Sequence, residues 1–329
     1  MPEMPVKTLR LRSGLGAVVM DYVGMAGALA VLLVIFGIFA KNFFTLRTFR
    51  TIANQIPDIT IVAVGMTFVL IIAGIDLSVG SVLALAGAVL GTFVDRFKLP
   101  LPVGIAACLM VGALCGAING SVTIKWRLPS FIVTLGMLEV ARGATYLVTN
   151  SRTIYIGGPV EVITGTSVLG LSLPFIVAVA VVAVGQLVLS RTVFGRYLVA
   201  IGTNEEAVRL SGIDPRPLKF WVFVLCGFLT SLAAVILTAR MSSADPNAGD
   251  GLELQAIAAV VIGGTSLLGG RGSVVSSFFG VLIIAVLGAG LAGVGAQEPT
   301  KRLITGFVIV AAVVLDYYRH RIEGLRRYV

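Results

Sequence analysis

The stretch GLSLPFIVAVAVVAVGQLVLS (170–190) carries no charged residue, and it runs directly into the charged island RTVFGRYLVAIGTNEEAVRLSGIDPRPLK (191–219). About 20 uncharged, mostly apolar residues are enough for a helix to cross the roughly 30 Å hydrocarbon core of a bilayer. Residues 170–190 therefore predict a transmembrane helix. The island predicts a loop in water between two such helices.

Within the island, residues 203–215 (TNEEAVRLSGIDP) predict one short helix with defined ends. Thr203 and Glu206 have the spacing of a capping box, in which each side chain binds a free N–H of the first turn. Gly212 suits the left-handed position after the last turn, and Pro215 prevents continuation. A helix this short is marginally stable alone in water, so it has to pack on something. On the aqueous face of a membrane protein it predicts a docking element.

Apolar runs like 170–190 recur along the whole chain, and each is a predicted membrane span. They fall near residues 23–40, 55–73, 80–94, 102–120, 129–148, 170–190, 218–238, 254–268, 273–295 and 302–318. The runs 80–94 and 254–268 are short for a crossing, which predicts broken or re-entrant helices. We therefore predict an all-α polytopic membrane bundle with about ten transmembrane helices, some of them short or broken.

Composition supports a single membrane domain over residues 23–318. The chain is 57% hydrophobic and 12% charged, its mean hydropathy is +1.01, and soluble domains carry about 25% charged residues. Little extended polar sequence is left, so we expect no soluble catalytic domain. The first run lacks a small-residue cleavage site, and we interpret it as a retained span and not a signal peptide.

Positive charge is unevenly distributed over the predicted loops. Most of the 25 Lys and Arg fall in segments that share one side of the membrane. These are 1–22, 121–128, 191–219, 269–272 and 319–329, together with the turn near 74–79. The positive-inside rule makes that side the cytoplasm, with residues 1–22 as a cytoplasmic N-terminal segment and 319–329 as a basic cytoplasmic tail. This placement explains the net charge of +9 without a nucleic-acid partner.

The segment 41–52 conflicts with this sidedness, because its three basic residues would lie outside without an acidic partner. Apolar residues recur there at roughly helical spacing: Phe43, Phe44, Leu46, Phe49 and Ile52. Such a pattern predicts an amphipathic helix lying in the membrane interface.

Polar residues inside the apolar sequence are the candidate functional groups. Gly74–Ser81 (GIDLSVGS) interrupts two runs, and two interpretations stay open. It is either a turn at the membrane surface with Asp76 as an N-cap, or a polar break bordering a transport route. Glu139 and Arg142 share a helix face, which predicts a structural ion pair, with a substrate contact as the alternative. Asp58 and Asn119 are lone polar residues of the kind that usually satisfy helix packing.

Other motifs argue against catalysis. The glycine-rich segment 263–272 has no Lys after its glycines and no GxxxxGK[ST] occurs in the chain, so we predict a tight inter-span turn with close backbone packing and not a phosphate loop. Cys108, Cys115 and Cys226 lie in apolar runs without metal-ligand spacing. The single histidine, His320, lies in the basic tail. We expect no enzyme activity, cofactor or metal in this chain.

Three blocks of the chain together carry a resemblance to a known family. They are GMTFVLIIAGIDLSVGSVLALAGAVLG (65–91), AIGTNEEAVRLSGI (200–213) and GLELQAIAAVVIGGTSLLGGRGS (251–273). With these blocks in family order, residues 42–316 resemble the permease subunits of bacterial ribose-type ABC sugar importers. Two residues depart from the family pattern, because Glu139 stands where an apolar residue is common and Asp58 where a small or amide residue is common.

The resemblance implies an inner-membrane importer that works by alternating access, in which separate cytoplasmic ABC ATPase subunits, or a fused double ATPase, hydrolyse ATP. It also implies a second permease subunit, identical or different, and a periplasmic or lipid-anchored sugar-binding protein that delivers a pentose, hexose or polyol. Residues assigned to ATPase coupling are Gly202, Asn204, Glu205, Ala207, Arg209, Leu210, Ser211 and Gly212. Residues assigned to the translocation path are Asp76, Ser78, Ser81 and Asn119.

The acidic segment 239–253 offers a candidate docking surface for the binding protein through Asp245, Asp250 and Glu253. A merely solvated loop is the competing interpretation. Two other function classes also stay open. A secondary transporter would couple uptake to H⁺ or Na⁺ through Asp76, Asp58 or Glu139. A membrane-embedded lipid enzyme would need a nucleophile–base pair, and the sequence offers none.

Overall fold

The computed structural model describes residues 15–168, 171–308, 310, 311 and 314, and most of them are helical. The helices are α1 (Leu15–Phe39), α2 (Leu46–Gln55), α3 (Pro57–Ile71), α4 (Val79–Gly91), α5 (Leu101–Lys125), α6 (Ser130–Thr149), α7 (Gly158–Gly165), α8 (Leu173–Arg191), α9 (Val193–Leu210), α10 (Pro215–Met241), α11 (Leu252–Ile262) and α12 (Val274–Gly293). A π-helical turn, Thr92–Arg96, continues α4, and residues 298–308 are again helical. The predicted tail 319–329 and His320 lie outside the described residues. Of the predicted segment 1–22, α1 already occupies residues 15–22.

Four two-residue strands lie in the connections. Strands β1 (Ile154–Tyr155) and β4 (Ser243–Ala244) pair antiparallel, with Ile154 opposite Ala244. Strands β2 (Ser167–Val168) and β3 (Leu171–Ser172) form a small hairpin before α8. The first pair ties together two loops that are far apart in the sequence.

Among the described residues, six helices are long and apolar enough to cross a membrane. They are Val79–Arg96, Leu101–Lys125, Ser130–Thr149, Leu173–Arg191, Pro215–Met241 and Val274–Gly293. Helices α2 and α3 meet at a bend of 46° and make a seventh candidate if they count as one span. Residues 23–39 and α11 are apolar but shorter. The all-α membrane class is confirmed, and the predicted number of about ten spans stays a prediction.

Helix α3 is the centre of the bundle. Fourteen of its fifteen residues are buried, which explains why its sequence is apolar all round. Helix α10 packs beside it and along α5. Gly112 and Gly116 of α5 face the α10 backbone so closely that a Cβ at Gly112 would overlap the carbonyl oxygen of Gly227. Small residues at this crossing allow two membrane helices to touch through their backbones.

The two ends of the bundle are distinguished by their loops. One end carries the island 191–219, and we call it the coupling-loop end after the predicted role of that segment. There Gly270 N donates to the carbonyl oxygen of Ile71 at 2.9 Å, and residues 212–216 and Lys219 lie beside the end of α5. At the opposite end, Arg240 donates to the carbonyl oxygen of Gln55. The segments predicted on one side, 121–128, 191–219 and 269–272, therefore share the coupling-loop end. Segment 41–52 lies at the other end, as predicted.

Helix α2 has the amphipathic character expected of segment 41–52. It begins at Leu46 after Thr45, whose side chain accepts from Thr48 N, so Phe43 and Phe44 precede the helix. Ile52 is buried, whereas Leu46 and Phe49 are exposed. The helix is thus confirmed, and its placement in a membrane interface stays a prediction.

Between α10 and α11 the chain runs inward along α4. Near the start of this segment Ala244 faces Gly91, and at its end Gly249 faces Gly80, where a Cβ on Gly249 would stand 2.6 Å from the carbonyl oxygen of Gly80. Gly80 and Gly91 are eleven positions apart along the chain, which corresponds to about 16 Å of helix. Segment 243–251 therefore penetrates to about the middle of the bundle, and α11 begins there. This explains why the predicted run 254–268 is too short for a full crossing.

Candidate functional site

The short helix of the island is the second half of α9. Asn204 has non-helical backbone angles (φ −162°, ψ 96°) inside α9, and its Oδ1 accepts from Ala207 N at 3.0 Å. Asn204 is therefore the N-cap. The predicted capping box of Thr203 and Glu206 is wrong by one residue, because the Thr203 hydroxyl donates back to the carbonyl oxygen of Val199.

The predicted end of this helix is confirmed. Gly212 adopts φ +86°, and the backbone N–H groups of Gly212 and Ile213 donate to the carbonyl oxygens of Arg209 and Val208. This is the bond pattern of a glycine-terminated helix. Pro215 then opens α10 in its first turn, where a missing N–H costs nothing.

The short helix presents an exposed face to the surroundings. Asn204, Glu205, Ala207, Arg209, Leu210, Ser211 and Gly212 are all exposed. Leu210 is 77% exposed, whereas Val208 on the other face is 6% exposed and packs into the core. An apolar side chain held out by a capped helix is typical of a protein–protein contact. Glu205, Arg209 and Gly212 are thus not buried by the chain itself, and the role of the set in ATPase coupling stays a prediction.

Two ion pairs organise the charges on this face. Arg209 donates two hydrogen bonds to the Glu206 carboxylate, at 2.6 and 3.1 Å. These bonds lower the pKa of Glu206 and raise the pKa of Arg209, since each stabilises the charged form of the other. Lys219 of α10 contacts Glu205 at 2.9 Å and holds the short helix against the start of α10.

Gly202 differs from the other predicted coupling residues. A Cβ at this position would overlap the carbonyl oxygen of Ile71 and the backbone nitrogen of Gly270. Position 202 thus requires glycine because of contacts within this chain, and not because of a contact with a partner. The contacts lie where α9, the end of α3 and the turn 263–272 meet. Gly264, Gly269 and Gly270 of that turn have positive φ values, so the predicted tight turn with close backbone packing is present.

A groove of about 800 Å³ runs between the short helix and the end of α5. Its walls carry charges of both signs, from Arg127, Arg209, Arg216, Lys219, Glu205, Glu206 and Asp214. Such a mixed surface suits a partner protein better than a nucleic acid, which requires a predominantly basic surface.

The polar break between α3 and α4 forms a buried hydrogen-bonded cluster. Asp76 Oδ1 accepts from the backbone N and the hydroxyl of Ser78, at 2.9 and 2.6 Å. Asn119 of α5 donates to the Ser78 hydroxyl at 3.0 Å, and all three side chains are at most 2% exposed. Asn119 Oδ1 accepts no hydrogen bond from the described residues, and a buried acceptor without a donor costs free energy. Ser81 is also buried, one turn into α4.

Two side chains that sequence reasoning did not single out hold this break in place. Ser130 accepts from Ile75 N at 2.8 Å, and Thr134 accepts from Leu77 N at 3.0 Å. Both hydroxyls come from the first turn and a half of α6. The side chains of the break are enclosed by α4, α5 and α6, while the segment begins at the end of the bundle, where Ala73 is exposed. Both interpretations of the break stay predictions.

Asp58 and Arg240 form an ion pair that the sequence analysis did not predict. The Arg240 guanidinium contacts both Asp58 oxygens, at 2.8 and 3.3 Å, and also donates to the carbonyl oxygens of Asn54 and Gln55. This pair ties the end of α10 to the bend between α2 and α3. Asp58 therefore has a structural role.

The predicted ion pair between Glu139 and Arg142 is wrong. Arg142 donates instead to the carbonyl oxygens of Pro246 and Ala248, at 2.7 and 3.0 Å. Glu139 is exposed on α6, and it forms no salt bridge within the described residues. The spacing of three residues on a helix suggested the pair. In the structure the Arg142 guanidinium is occupied instead by carbonyl oxygens of segment 243–251.

The acidic residues of segment 239–253 occupy different depths. Asp245 accepts from Asn247 N at 2.9 Å in a turn, and Asp250 is exposed. The Glu253 carboxylate lies beside Gly80, well inside the bundle. A docking role for these three residues stays a prediction, and the structure places Glu253 far from the opposite end.

A family model described as the branched-chain amino acid transport system/permease component matches residues 48–313. The chain belongs to this permease family. A ribose import permease of Haemophilus influenzae is 42% identical over 88% of this chain and 91% of its own length. A fructose import permease of Rhizobium meliloti is 34% identical over 89% of the chain and 84% of its own length. A D-allose transport permease of Escherichia coli is 34% identical over 90% and 91%. No solved structure matches the chain.

Proposed function

We propose that this chain is the transmembrane subunit of a binding-protein-dependent ABC importer that carries a monosaccharide across a bacterial inner membrane. The relatives quoted above are named for ribose, fructose and D-allose, and another is named for L-arabinose. The family description mentions branched-chain amino acids. The ribose permease covers nearly the whole chain at 42% identity, and this observation favours a sugar. Ribose or a related pentose, hexose or polyol is the proposed substrate.

The proposed membrane topology has ten crossings with both termini in the cytoplasm. It counts the six long helices, the bent pair α2–α3, α1, segment 243–262 and the run 302–318. The coupling-loop end faces the cytoplasm, in agreement with its basic loops. Residues 1–14 and the tail 319–329 are assigned to the same side on charge alone.

The proposed mechanism is alternating access in a dimer of permease subunits. ATP binding and hydrolysis in a cytoplasmic ABC ATPase move the short helix of α9, which rests on the contact between Gly202, Ile71 and Gly270. That contact connects the helix directly to the polar break after α3. The break, with Asp76, Ser78, Ser81 and Asn119, is the proposed polar part of the translocation path. A periplasmic or lipid-anchored binding protein delivers the sugar at the opposite end, where Asp245 and Asp250 are the proposed contacts.

The competing proposal of an ion-coupled transporter is left with one candidate carboxylate. Asp58 is held by Arg240, and Glu139 is exposed on the outer surface of α6. A coupling carboxylate has to be reachable by the ion along the path, and of the three only Asp76 belongs to the proposed path.

The coupling surface is tested by Leu210→Ala in the importer purified with its ATPase and binding protein. Burying a leucine stabilises a contact by about 1.5–3 kcal/mol, so we expect ATPase affinity to fall about tenfold or more and ATP-dependent uptake to fall with it. Leu147→Ala is the matched control, since Leu147 is 81% exposed near the opposite end of α6. Normal ATPase binding by Leu210→Ala and by Glu205→Ala would refute the coupling assignment. Uptake that persists without any ATPase would favour ion coupling.

A further inference from the structure

A small cavity lies between α4, α10 and segment 243–249. Its volume is about 190 Å³. It is nearer to the opposite end than the cluster of Asp76, since Gly87 and Thr238 form its walls, and Gly87 lies six residues beyond Ser81 along α4. It is distinct from the groove at the coupling-loop end and from every hydrogen bond described for the polar break.

The cavity walls combine an apolar side with unused polar atoms. Leu83, Leu237 and Met241 supply the apolar side. Thr238 is 4% exposed, and its hydroxyl makes no hydrogen bond to any described residue. The hydroxyl oxygen faces Gly87 of α4, and both residues line the open volume. A ligand hydroxyl in the cavity could donate to it or accept from it.

The segment 243–249 supplies the other polar groups. Ser243 and Asp245 line the cavity. Asp245 uses Oδ1 to accept from Asn247, so its second oxygen is available. The shape of this wall is fixed from outside, because Arg142 binds the carbonyl oxygens of Pro246 and Ala248. A carboxylate that is held in place accepts strong hydrogen bonds from hydroxyl donors.

The charge of the lining selects the class of ligand. No Lys, Arg or His of the described residues lines the cavity, so a carboxylate or phosphate group would find no cationic partner. A zwitterionic amino acid would satisfy Asp245 through its ammonium group but would leave its own carboxylate unpaired. A neutral polyol has hydroxyl donors and acceptors for Asp245, Thr238 and Ser243, and its C–H face can pack on Leu83, Leu237 and Met241.

The geometry points to this cavity as a monosaccharide hand-over site in the outward half of the permease. The inference deepens the proposed function and rests on it for the direction of transport. Pockets for drug-sized ligands span about 300–1,000 Å³, so a cavity of 190 Å³ suits a single sugar ring better than a larger ligand. Sugar released by the binding protein is held here before the path opens inward.

The first test measures transport by the complete importer in proteoliposomes with saturating loaded binding protein. We expect Thr238→Val to lower sugar uptake about threefold to tenfold, and Asp245→Asn to lower it about tenfold or more because a charged acceptor is lost. ATPase copurification should stay unchanged in both variants. Binding-protein affinity should stay unchanged in Thr238→Val, which therefore separates the cavity from the proposed docking contact of Asp245. Asp95→Asn is the matched control, since it neutralises an exposed carboxylate at the same end that does not line the cavity. Unchanged uptake in both cavity variants overturns the site.

The second test asks directly whether sugar occupies the cavity. Thr238→Cys is labelled in the complete importer with a membrane-impermeant maleimide, with Thr164→Cys as the control position. The native thiols are buried and give a low background. We expect ribose or another transported monosaccharide to protect Cys introduced at 238 and not at 164. No labelling, no protection, or protection by leucine alone each overturns the inference. A wild-type importer without ATP-dependent sugar uptake would instead refute the proposed function.

Discussion

The ion pair between Asp58 and Arg240 gives a prediction that can be worked through quantitatively. The Arg240→Met substitution keeps most of the side-chain volume and removes the guanidinium. Asp58, whose side chain is 8% exposed, is left as an unpaired buried carboxylate. Breaking a buried pair in this way costs about 3–5 kcal/mol. Because the Arg240 side chain is 29% exposed, we expect the lower limit, about 3 kcal/mol.

This loss translates into a measurable shift in thermal stability. For chains of 150–250 residues, 1 kcal/mol shifts Tm by about 2–4 °C, so the variant should melt about 6 °C lower. The melt is followed with a thiol-reactive dye, since Cys108, Cys115 and Cys226 are buried and free and react only on unfolding. Lys98→Met is the control, because it breaks an exposed pair with Asp95 and should shift Tm little.

A double variant separates the unpaired charge from the other lost bonds. Asp58→Leu combined with Arg240→Met removes both charges, and it should recover the part of the loss that comes from Asp58. Recovery stays incomplete, because the carbonyl oxygens of Asn54 and Gln55 lose their donor. A single variant that melts within 1 °C of wild type, or a double variant no more stable than the single, would refute the reasoning.

Three further predictions concern α9 and its contacts. Gly202→Ala should lower the free energy of unfolding by about 1–3 kcal/mol or more, because the added methyl group overpacks against backbone. Gly143→Ala should be neutral or slightly stabilising, because a Cβ at Gly143 would meet nothing within 4 Å. Thermal melts compare the two variants, and equal Tm values would contradict the close contact at Gly202. Asn204→Ala should cost about 1 kcal/mol of helix stability by loss of the N-cap, seen as faster amide exchange over residues 205–210, with Asn204→Asp retaining protection. The pKa of Glu206 is lowered in the folded state, so its pair with Arg209 stabilises the helix at neutral pH and is lost as pH falls through about 4 and below; amide exchange from pH 7 to 3 in wild type and Glu206→Gln checks this, and identical profiles would contradict it.

Hydropathy was sufficient to predict the helices and the membrane class. The runs near 102–120, 129–148 and 273–295 correspond to α5, α6 and α12 within a few residues, because an apolar stretch of that length has few other stable structures. The end of the short helix was also predictable, since Gly212 and Pro215 act locally. Its start was not, because Thr203, Asn204 and Glu206 offer competing caps and the contact of Gly202 with α3 decides which one is used.

The sequence did not predict which polar residues contact each other when they lie far apart in the chain. Glu139 and Arg142 have ideal helical spacing, yet Arg142 binds carbonyls more than a hundred residues away. The pair of Asp58 and Arg240 had a usable signal, because an acid at the start of one span and a base at the end of another were assigned to the same side. The inward course of segment 243–251 had only a weak signal in Pro246, Gly249 and Gly251, since its length resembles an ordinary surface loop.

The mid-bundle start of α11 constrains how this subunit is made. Its eleven residues are about half of the roughly 20 that a helix needs to cross a bilayer, so the insertion machinery would not retain this segment by its own hydrophobicity. The carbonyl oxygens of Pro246 and Ala248 find the Arg142 guanidinium only when α6 is already in place, and Gly249 packs on Gly80 only when α4 is. The helices before it therefore have to be assembled first. During biosynthesis α11 inserts into the membrane by packing on these neighbouring helices.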